Sequence, residues 1–185
     1  MKLAEMLDAP RSEVTALRSH LDGLAPAERM TECLSLGSHQ QKRLWEMVAA
    51  APAVAGELLP PGAASAVFAG RNTLRIFTRF EKLFARQGPA IVGYNRHSLS
   101  WLIGPGYFTV EPDHGSGLRF DYEQVPADSP PGWPAAAPNT GTFARPVYGE
   151  LLDRVGWVSP DALIGSAFRL GKPLDSYFVL VRAEQ

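Results

Sequence analysis

The sequence lacks the features that mark several large classes of protein. Its 185 residues include a single cysteine, Cys33, which can form neither an internal disulfide nor a cysteine cluster for zinc. The helical pattern around Cys33 indicates a buried, unreactive thiol. No apolar run approaches the roughly 20 residues of a membrane-spanning helix, and the N-terminus has no continuous apolar segment of the secretory kind. We therefore expect a cytoplasmic protein with no membrane insertion.

The chain also lacks an excess of charge of either sign. Its formal net charge is -1, whereas nucleic-acid-binding proteins normally carry a basic surplus. We therefore expect no nucleic-acid partner. The hydrophobic fraction of 45% and the charged fraction of 20% are those of an ordinary globular protein with a sizeable core.

Motifs that would identify a reaction are absent as well. The sequence contains no nucleophile elbow of the form G-x-S-x-G and no glycine-rich phosphate loop. The four histidines are far apart in the sequence, so we expect no metal and no cofactor. A haem held by one histidine, such as His97, is a weaker alternative. Whether the protein is an enzyme stays open.

What is present begins with a helical region over residues 1–60. Apolar residues recur there at helical spacing, and Ser12, Pro26 and Gly37 are residues that start or stop helices. The run LLPPGAA that follows cannot continue a helix and marks a boundary. We therefore expect an N-terminal helical region of residues 1–60 and a second domain of residues 61–185.

Residues 74–86, LRIFTRFEKLFAR, predict one more amphipathic helix inside the second domain. Its apolar side chains fall at the spacings of one helix face. That face consists of Ile76, Phe77, Phe80, Leu83 and Phe84. The arginines on the other side are interpreted either as an anion-binding patch or as a solvated face.

From Pro89 onward the hydrophobic period changes from that of a helix to that of a strand. The segments AIVGYN, LSWLI, YFTVEP and GLRFDYEQV alternate with turn compositions, which predicts a four-stranded antiparallel meander. The proline-rich residues 126–141 cannot join a sheet and should form a long ordered loop or cover. The remainder, from TFARPVYGELLDRVGWV to SYFVLVRA, supplies three or four more strands, although YGELLDRVGWV could be a helix turn followed by a strand. The fold class is therefore α+β, with helices followed by an antiparallel, closed barrel of about 7–8 strands.

The C-terminal segment ARPVYGELLDRVGWVSPDALIGSAFRLGKPLDSYFVLVR resembles the closing strands of calycin-like, lipocalin-type barrels. The resemblance rests on the order of a strand, a new strand beginning with Ile-Gly, a Gly-Lys turn and an aromatic-aliphatic last strand. The resemblance implies a barrel cavity, open at one end, for a hydrophobic or amphipathic small molecule. It implies no catalytic residue.

Strand alternation supplies the candidate ligand contacts. Five aromatic residues are expected to line the cavity: Trp101, Tyr107, Phe120, Trp157 and Tyr177. The mixed faces of the strands around Trp101 and Tyr107 are also what an ordinary two-sided core would produce. His97 lies in a turn, where it could reach the cavity rim, although turn histidines are usually solvated. Asp153 and Arg154 are adjacent, so in a strand one of them points inward. Arg154 could then anchor a carboxylate or enolate, or the two could form a surface pair.

Three functions fit these patterns. The first is binding of a hydrophobic or aromatic small molecule in the barrel. The second is a cofactor-independent cyclase or isomerase of a secondary-metabolite-type substrate, with Tyr107, His97, Asp153 and Arg154 as candidate acids and bases. The third is a protein-interaction module that uses the N-terminal helices, which predicts an exposed apolar patch there. The sequence leaves the oligomeric state open.

Overall fold

A computed structural model describes residues 1–52, 54, 56–74, 78–113 and 117–184. Four helices come first: α1 Leu3–Asp8, α2 Val14–Asp22, α3 Pro26–Ser35 and α4 Ser38–Ala50. Eight strands and two short helices follow: β1 Ser65–Asn72, β2 Arg79–Gln87, β3 Ala90–Arg96, α5 Ser100–Ile103, β4 Phe108–Pro112, β5 Leu118–Asp121, α6 Arg145–Tyr148, β6 Leu151–Ser159, β7 Ala162–Arg169 and β8 Lys172–Arg182.

The eight strands form a closed barrel in which each strand pairs antiparallel with its sequence neighbour. β1 closes the ring by pairing with β8, for example through Gly70 opposite Leu180. The predicted α+β class and closed antiparallel barrel are thereby confirmed. The architecture is compatible with a calycin-like fold.

The N-terminal helices lie against the outside of the barrel. Their buried leucines, including Leu17, Leu21 and Leu44, share one apolar cluster with Ile164 and Val179 of β7 and β8. The predicted helical region is confirmed, whereas its division from the barrel at residue 60 stays a prediction. None of the helices in the described part of the chain is long and apolar enough to cross a membrane.

Cys33 belongs to that helical cluster and is buried, as expected. Burial in apolar surroundings raises the pKa of the Cys33 thiol to about 12, since a thiolate would have no solvation there. The thiol is thus un-ionised at neutral pH, which fits a packing role.

The predicted helix over residues 74–86 is wrong where the structure describes it, because residues 79–87 form β2. Phe80, Lys82 and Phe84 point into the barrel, whereas Leu83 points outward and is also buried. Since both faces of this strand are covered, its apolar residues imitate the spacing of a helix. Ile76 and Phe77 lie outside the described residues.

Two segments expected to be strands are short helices. LSWLI contains α5, because the Ser100 hydroxyl donates to the carbonyl of His97 at 2.8 Å and accepts from its N–H at 3.0 Å, which closes a turn. TFARPV contains α6, with Pro146 in its first turn. The strand count nevertheless holds, since β1 and β2 take their places in the ring.

Phenylalanine rings fill the middle of the barrel, and glycines on the facing strands make room for them. Gly70 is the cross-strand partner of Phe80, and Gly93 is the partner of Phe108. A Cβ at either glycine would lie within 2.6 Å of the partner's ring. Gly165 and Phe178 repeat the arrangement between β7 and β8. These glycines are therefore packing positions. The rings of Phe84, Phe108 and Phe120 pack on one another and are called here the plug.

One end of the barrel, called here the closed end, is sealed by the segment that joins α4 to β1. Leu58 and Leu59 of this segment are buried against the barrel core together with Trp157. Arg182 fixes the segment by donating to the carbonyl of Leu58 at 3.2 Å, and its guanidinium also pairs with Asp161. The closed end is thus filled by apolar side chains and tied by charged hydrogen bonds.

The proline-rich residues 126–141 form the ordered cover that was expected. Trp133 packs on Tyr94 of β3, with ring centres 4.7 Å apart, and the Tyr107 hydroxyl donates to the carbonyl of Pro134 at 2.6 Å. Asn139 donates to the carbonyls of Tyr107 and Tyr122. The cover thereby buries the outer faces of β2 and β3.

Candidate functional site

A cavity of about 560 Å³ opens at the end of the barrel opposite the closed end. This open end is formed by the connections β1–β2, β3–β4, β5–β6 and β7–β8, of which two carry α5 and α6. Apolar side chains make up much of the wall: Leu74, Phe80, Ile103, Val147, Leu151, Ala167, Leu174 and Phe178. The plug lies beneath the cavity.

The polar part of the cavity is centred on Lys82, which is 2% exposed. Its ammonium Nζ donates to Asn95 Oδ1 at 2.8 Å, to the Tyr122 hydroxyl at 2.5 Å and to Asp153 Oδ2 at 3.3 Å. Lys82, Asn95 and Asp153 belong to β2, β3 and β6, and Tyr122 directly follows β5. Alternation brings the four groups together, because all four residues occupy inward-facing positions of the barrel.

Tyr122 and Asp153 complete the network. The Tyr122 hydroxyl donates to Asp153 Oδ2 at 3.1 Å and accepts from Asn95 Nδ2 at 3.1 Å. Burial raises the pKa of Asp153 and lowers that of Lys82, because both charged forms lose their hydration, while their mutual attraction opposes each shift. Burial also raises the pKa of Tyr122 well above its usual range. The site therefore holds a buried carboxyl, amine and phenol that are joined by hydrogen bonds.

Aromatic rings surround the amine of Lys82. Its Nζ lies 4.7 Å from the centre of the Phe108 ring, 5.3 Å from that of Phe120 and 5.2 Å from that of Phe178. A cation is attracted to ring faces at these distances. Ring faces cannot replace water as hydrogen-bond acceptors, so Asp153, Tyr122 and Asn95 carry the polar contacts.

The helix α6 covers part of the cavity mouth. Its Tyr148 stacks on Tyr122, with ring centres 5.5 Å apart and planes 7° apart, and its hydroxyl lies 2.9 Å from His97 Nε2. Gly106 is required beneath it, because a Cβ there would lie 2.4 Å from the Tyr148 ring. Arg169 holds α6 by donating to the carbonyls of Pro146 and Val147, both at 3.1 Å. Tyr148 thereby links the mouth to the buried network.

The arrangement has the groups needed to orient a polar function and to move a proton. The three N–H donors of Lys82 and the O–H of Tyr122 are used within the network, so Lys82 can donate to a carbonyl or phenol oxygen in place of its 3.3 Å bond to Asp153, and Asp153 can accept a proton. His97 has its pKa lowered by burial, so it is neutral near pH 7 and can act as donor or acceptor. Such groups on the wall of a largely apolar cavity are typical of a small-molecule site.

Seven side chains were expected to contact the ligand, and all lie in the described part of the chain. Only His97 lines the cavity. Trp101 is 79% exposed on α5, and Trp157 is buried at the closed end. Phe120 lies in the plug below the cavity. The expectation that these aromatics line the cavity is therefore corrected.

The remaining expected contacts also lie elsewhere. Tyr107 points outward, under the proline-rich cover, and burial raises its pKa to about 12. The Tyr177 hydroxyl donates to Asp175 at 2.9 Å on the barrel exterior. Arg154 points outward and pairs with Asp113, with 2.6 Å between Nε and Oδ2. Its neighbour Asp153 is the member of the pair that points inward, so the alternation rule was right and the choice of Arg154 as ligand anchor was not.

Sequence reasoning missed Lys82 and Tyr148 as site residues. Lys82 lay within the predicted helix over residues 74–86, whereas in a strand the alternation Phe80–Lys82–Phe84 places all three side chains on one face. An inward Asp153 also requires a buried cation, and Lys82 is that cation. Tyr148 reaches the site from a loop helix, which no sheet alternation indicates.

No group of three or more potential metal-ligating side chains occurs within residues 1–52, 54, 56–74, 78–113 and 117–184. Neither the models of known protein families nor the curated protein sequences match the chain. The site's own geometry therefore carries the functional argument.

Proposed function

We propose that the barrel binds a hydrophobic or aromatic small molecule that carries one hydrogen-bonding oxygen. The main support is that one part of the barrel interior is filled and another part is open. The middle and the closed end are filled by aromatic side chains, whereas about 560 Å³ is left open above Lys82. Ligand pockets are typically concave, roughly 300–1,000 Å³ and mostly apolar with a few convergent polar groups.

The polar network gives the ligand its orientation. An oxygen at the cavity floor would accept from Lys82 in place of the 3.3 Å bond from Lys82 to Asp153, while the apolar body would lie against Phe80, Ile103 and Leu151. The buried ion pair is neutral overall, so a neutral carbonyl or phenol suits the floor better than a second full charge.

The test is to fill the cavity. Ala167 faces the cavity from β7, and Ser176 faces it from β8 nearer the mouth. Ala167→Phe and Ser176→Phe should each weaken binding of a neutral apolar fluorescent probe, N-phenyl-1-naphthylamine, by about tenfold or more, since steric exclusion removes its burial. Trp101→Ala is the control and should leave probe affinity within about twofold.

Native mass spectrometry of the protein purified from its own host is the second measurement. A retained molecule that is present in the wild type and absent from Ala167→Phe supports the proposal. Equal probe affinity in all three variants, each shown by thermal unfolding to be folded, contradicts it.

A second candidate function is a cofactor-independent cyclase or isomerase in the same cavity. The observation that favours it is the placement of Lys82, Asp153 and Tyr122 together on the cavity wall. Lys82 would stabilise an enolate oxygen, and Asp153 would take the proton from the carbon next to the carbonyl.

Deuterium uptake tests this second candidate. Aromatic and cyclic ketones incubated with the protein in D₂O should gain deuterium at the α-carbon faster than in buffer, as measured by mass spectrometry. Asp153→Asn should remove the acceleration, whereas Trp101→Ala should keep it. Acceleration that survives in Asp153→Asn contradicts the assigned role.

The structure gives the interaction-module alternative little support. Among the described residues of the first 58, Met1 is the large hydrophobic side chain that is strongly exposed. The helical apolar faces are instead buried against the barrel.

A further inference from the structure

Exposed large hydrophobic side chains are concentrated at the open end of the barrel. Apart from Met1, every such side chain in the described part of the chain lies on one of the four connections there or on the adjoining strand start. They are Leu74, Trp101, Leu102, Phe143, Val147, Leu170 and Leu174, called here the apolar rim. Single exposed apolar residues are ordinary, but a set confined to one end marks an interaction surface.

Leu170 is the most unusual member of the apolar rim. It is 73% exposed at the tip of the β7–β8 hairpin, with a φ of 51°, and Gly171 after it has a φ of 74°. A two-residue hairpin turn with both φ values positive favours Asn-Gly, because a leucine side chain is strained in the left-handed region. Leucine is unfavourable here because its positive φ strains the backbone and because its apolar side chain is exposed to water. These two costs indicate that Leu170 has a role other than stabilising the fold.

Basic side chains flank the apolar rim. Arg79, Arg145 and Lys172 are exposed at the open end. Of the acidic groups there, Glu81 is paired with Arg96, and Asp175 is paired with Lys42. Exposed Glu123, directly after β5, and exposed Glu150 also lie at this end, so apart from these two ion pairs three exposed basic and two exposed acidic side chains are described there. A surface with this charge is complementary to an anionic partner.

We propose that the open end docks on an anionic phospholipid surface through the apolar rim. Tryptophan, phenylalanine and leucine at loop tips enter the boundary between headgroups and acyl chains, while flanking arginine and lysine attract anionic headgroups. The chain stays peripheral, with the barrel axis directed toward the bilayer.

Continuity with the cavity favours a lipid surface over a protein partner. Leu74, Val147 and Leu174 belong both to the apolar rim and to the cavity lining. An apolar ligand could therefore pass from the bilayer into the cavity without crossing water. A protein docked on the same rim would cover the mouth.

Flotation of the ligand-free protein with lipid vesicles tests the proposal. The protein should bind vesicles of phosphatidylcholine with phosphatidylglycerol and bind phosphatidylcholine alone much more weakly. Leu170→Asn should weaken binding about tenfold while the protein remains folded, since asparagine suits the turn but does not enter the bilayer. Trp101→Ser should weaken it to a similar extent.

Two matched substitutions that each remove one positive charge distinguish binding through the open end from nonspecific attraction of the whole protein to anionic lipid. Lys172→Gln should weaken binding about fivefold, and this loss should shrink at high salt. Arg86→Gln removes an exposed arginine at the opposite end of β2 and should have no effect.

Three results would overturn the proposal: no binding to anionic vesicles, binding that Leu170→Asn and Trp101→Ser leave unchanged, or equal losses from Lys172→Gln and Arg86→Gln. Concentration-dependent dimerisation that Leu170→Asn abolishes, without vesicle binding, would assign the apolar rim to a second copy of the chain. Because the assay contains no ligand, its result is independent of the probe-binding test in the cavity.

Discussion

The two ends of the barrel are built from the same strands, but large apolar side chains are buried at the closed end and exposed at the open end. At the closed end Trp157 is 3% exposed, and the indole packs on Gly56, where any Cβ would overlap the ring. At the open end Trp101 is 79% exposed on a helix of four residues. One tryptophan therefore contributes to stability, and the other is available for binding.

The same contrast applies to charge. At the closed end Arg182 ties the covering segment to the barrel and lies over the ring of Phe68. Below the open end Lys82 and Asp153 form a buried ion pair, and both residues line the open cavity. Replacement of such a buried pair by well-packed apolar residues is often neutral or stabilising. The position of the pair beside the cavity fits the proposed ligand site.

The largest expected effect separates the two tryptophans. Trp157→Ala should lower the free energy of unfolding by about 3–5 kcal/mol, because it leaves a cavity in a packed region. Trp101→Ala should change it by no more than about 0.5 kcal/mol. Urea denaturation monitored by circular dichroism measures both. Comparable losses in the two variants would break the distinction between a filled end and an open one.

Removal of Lys82 should be nearly as damaging. At about pH 7 Lys82→Met leaves Asp153 buried without its counter-charge, at a cost of about 3–5 kcal/mol. The double variant Lys82→Met/Asp153→Leu should recover most of this loss, since no buried charge remains. Additive losses in the double variant would show that the two groups act independently.

The loss in Lys82→Met should also depend on pH. The pKa of Asp153 is raised by burial, and Lys82 is the largest influence that lowers it. Without Lys82 the folded state binds the Asp153 proton still more tightly than the unfolded state does. Stability of the variant should therefore fall as pH rises above the unfolded carboxyl pKa and be best preserved in acid. Urea titrations at several pH values measure this, and a loss that is constant across pH contradicts it.

The fold could be predicted from the sequence where only one face of an element is buried. The alternation of Phe120 and Tyr122 with Arg119 and Asp121 places the aromatic pair inward, and the structure agrees. In β2 the alternation is hidden, since Leu83 packs under the proline-rich cover while Lys82 and Phe84 face the interior. That cover is distant in sequence, so local periodicity could not reveal it.

The site could be predicted only in part, for a related reason. Alternation indicated that Asp153 or Arg154 must face inward, and it identified Tyr122 as inward-facing. It could not indicate which end of the barrel is filled, because that depends on where Leu58 and Leu59 fold back. Conspicuous aromatics such as Trp157 were therefore assigned to the cavity although they occupy the closed end.

A smaller expected effect concerns His97 at the cavity mouth. Burial lowers its pKa below the usual 6.5, so the unfolded chain binds the proton more readily than the folded protein does. Stability should therefore rise with pH across the window just below 6.5, and this contribution should disappear in His97→Gln. The difference between the two unfolding free energies, measured by urea titration across that window, isolates the residue. A difference that does not vary with pH would contradict the lowering of the His97 pKa by burial.

The smallest expected effect on stability has the opposite sign and lies at the tip of the open end. Leu170→Asn should raise the free energy of unfolding by up to about 1 kcal/mol, because asparagine accepts a positive φ that strains leucine. The same substitution is expected to weaken docking on anionic vesicles. A gain in stability with a loss of docking would show that Leu170 is retained for the surface it presents. A loss of stability, measured by the same urea titration, would instead mean that the leucine packs usefully within the hairpin and that the open end is less separate from the core than its exposure indicates.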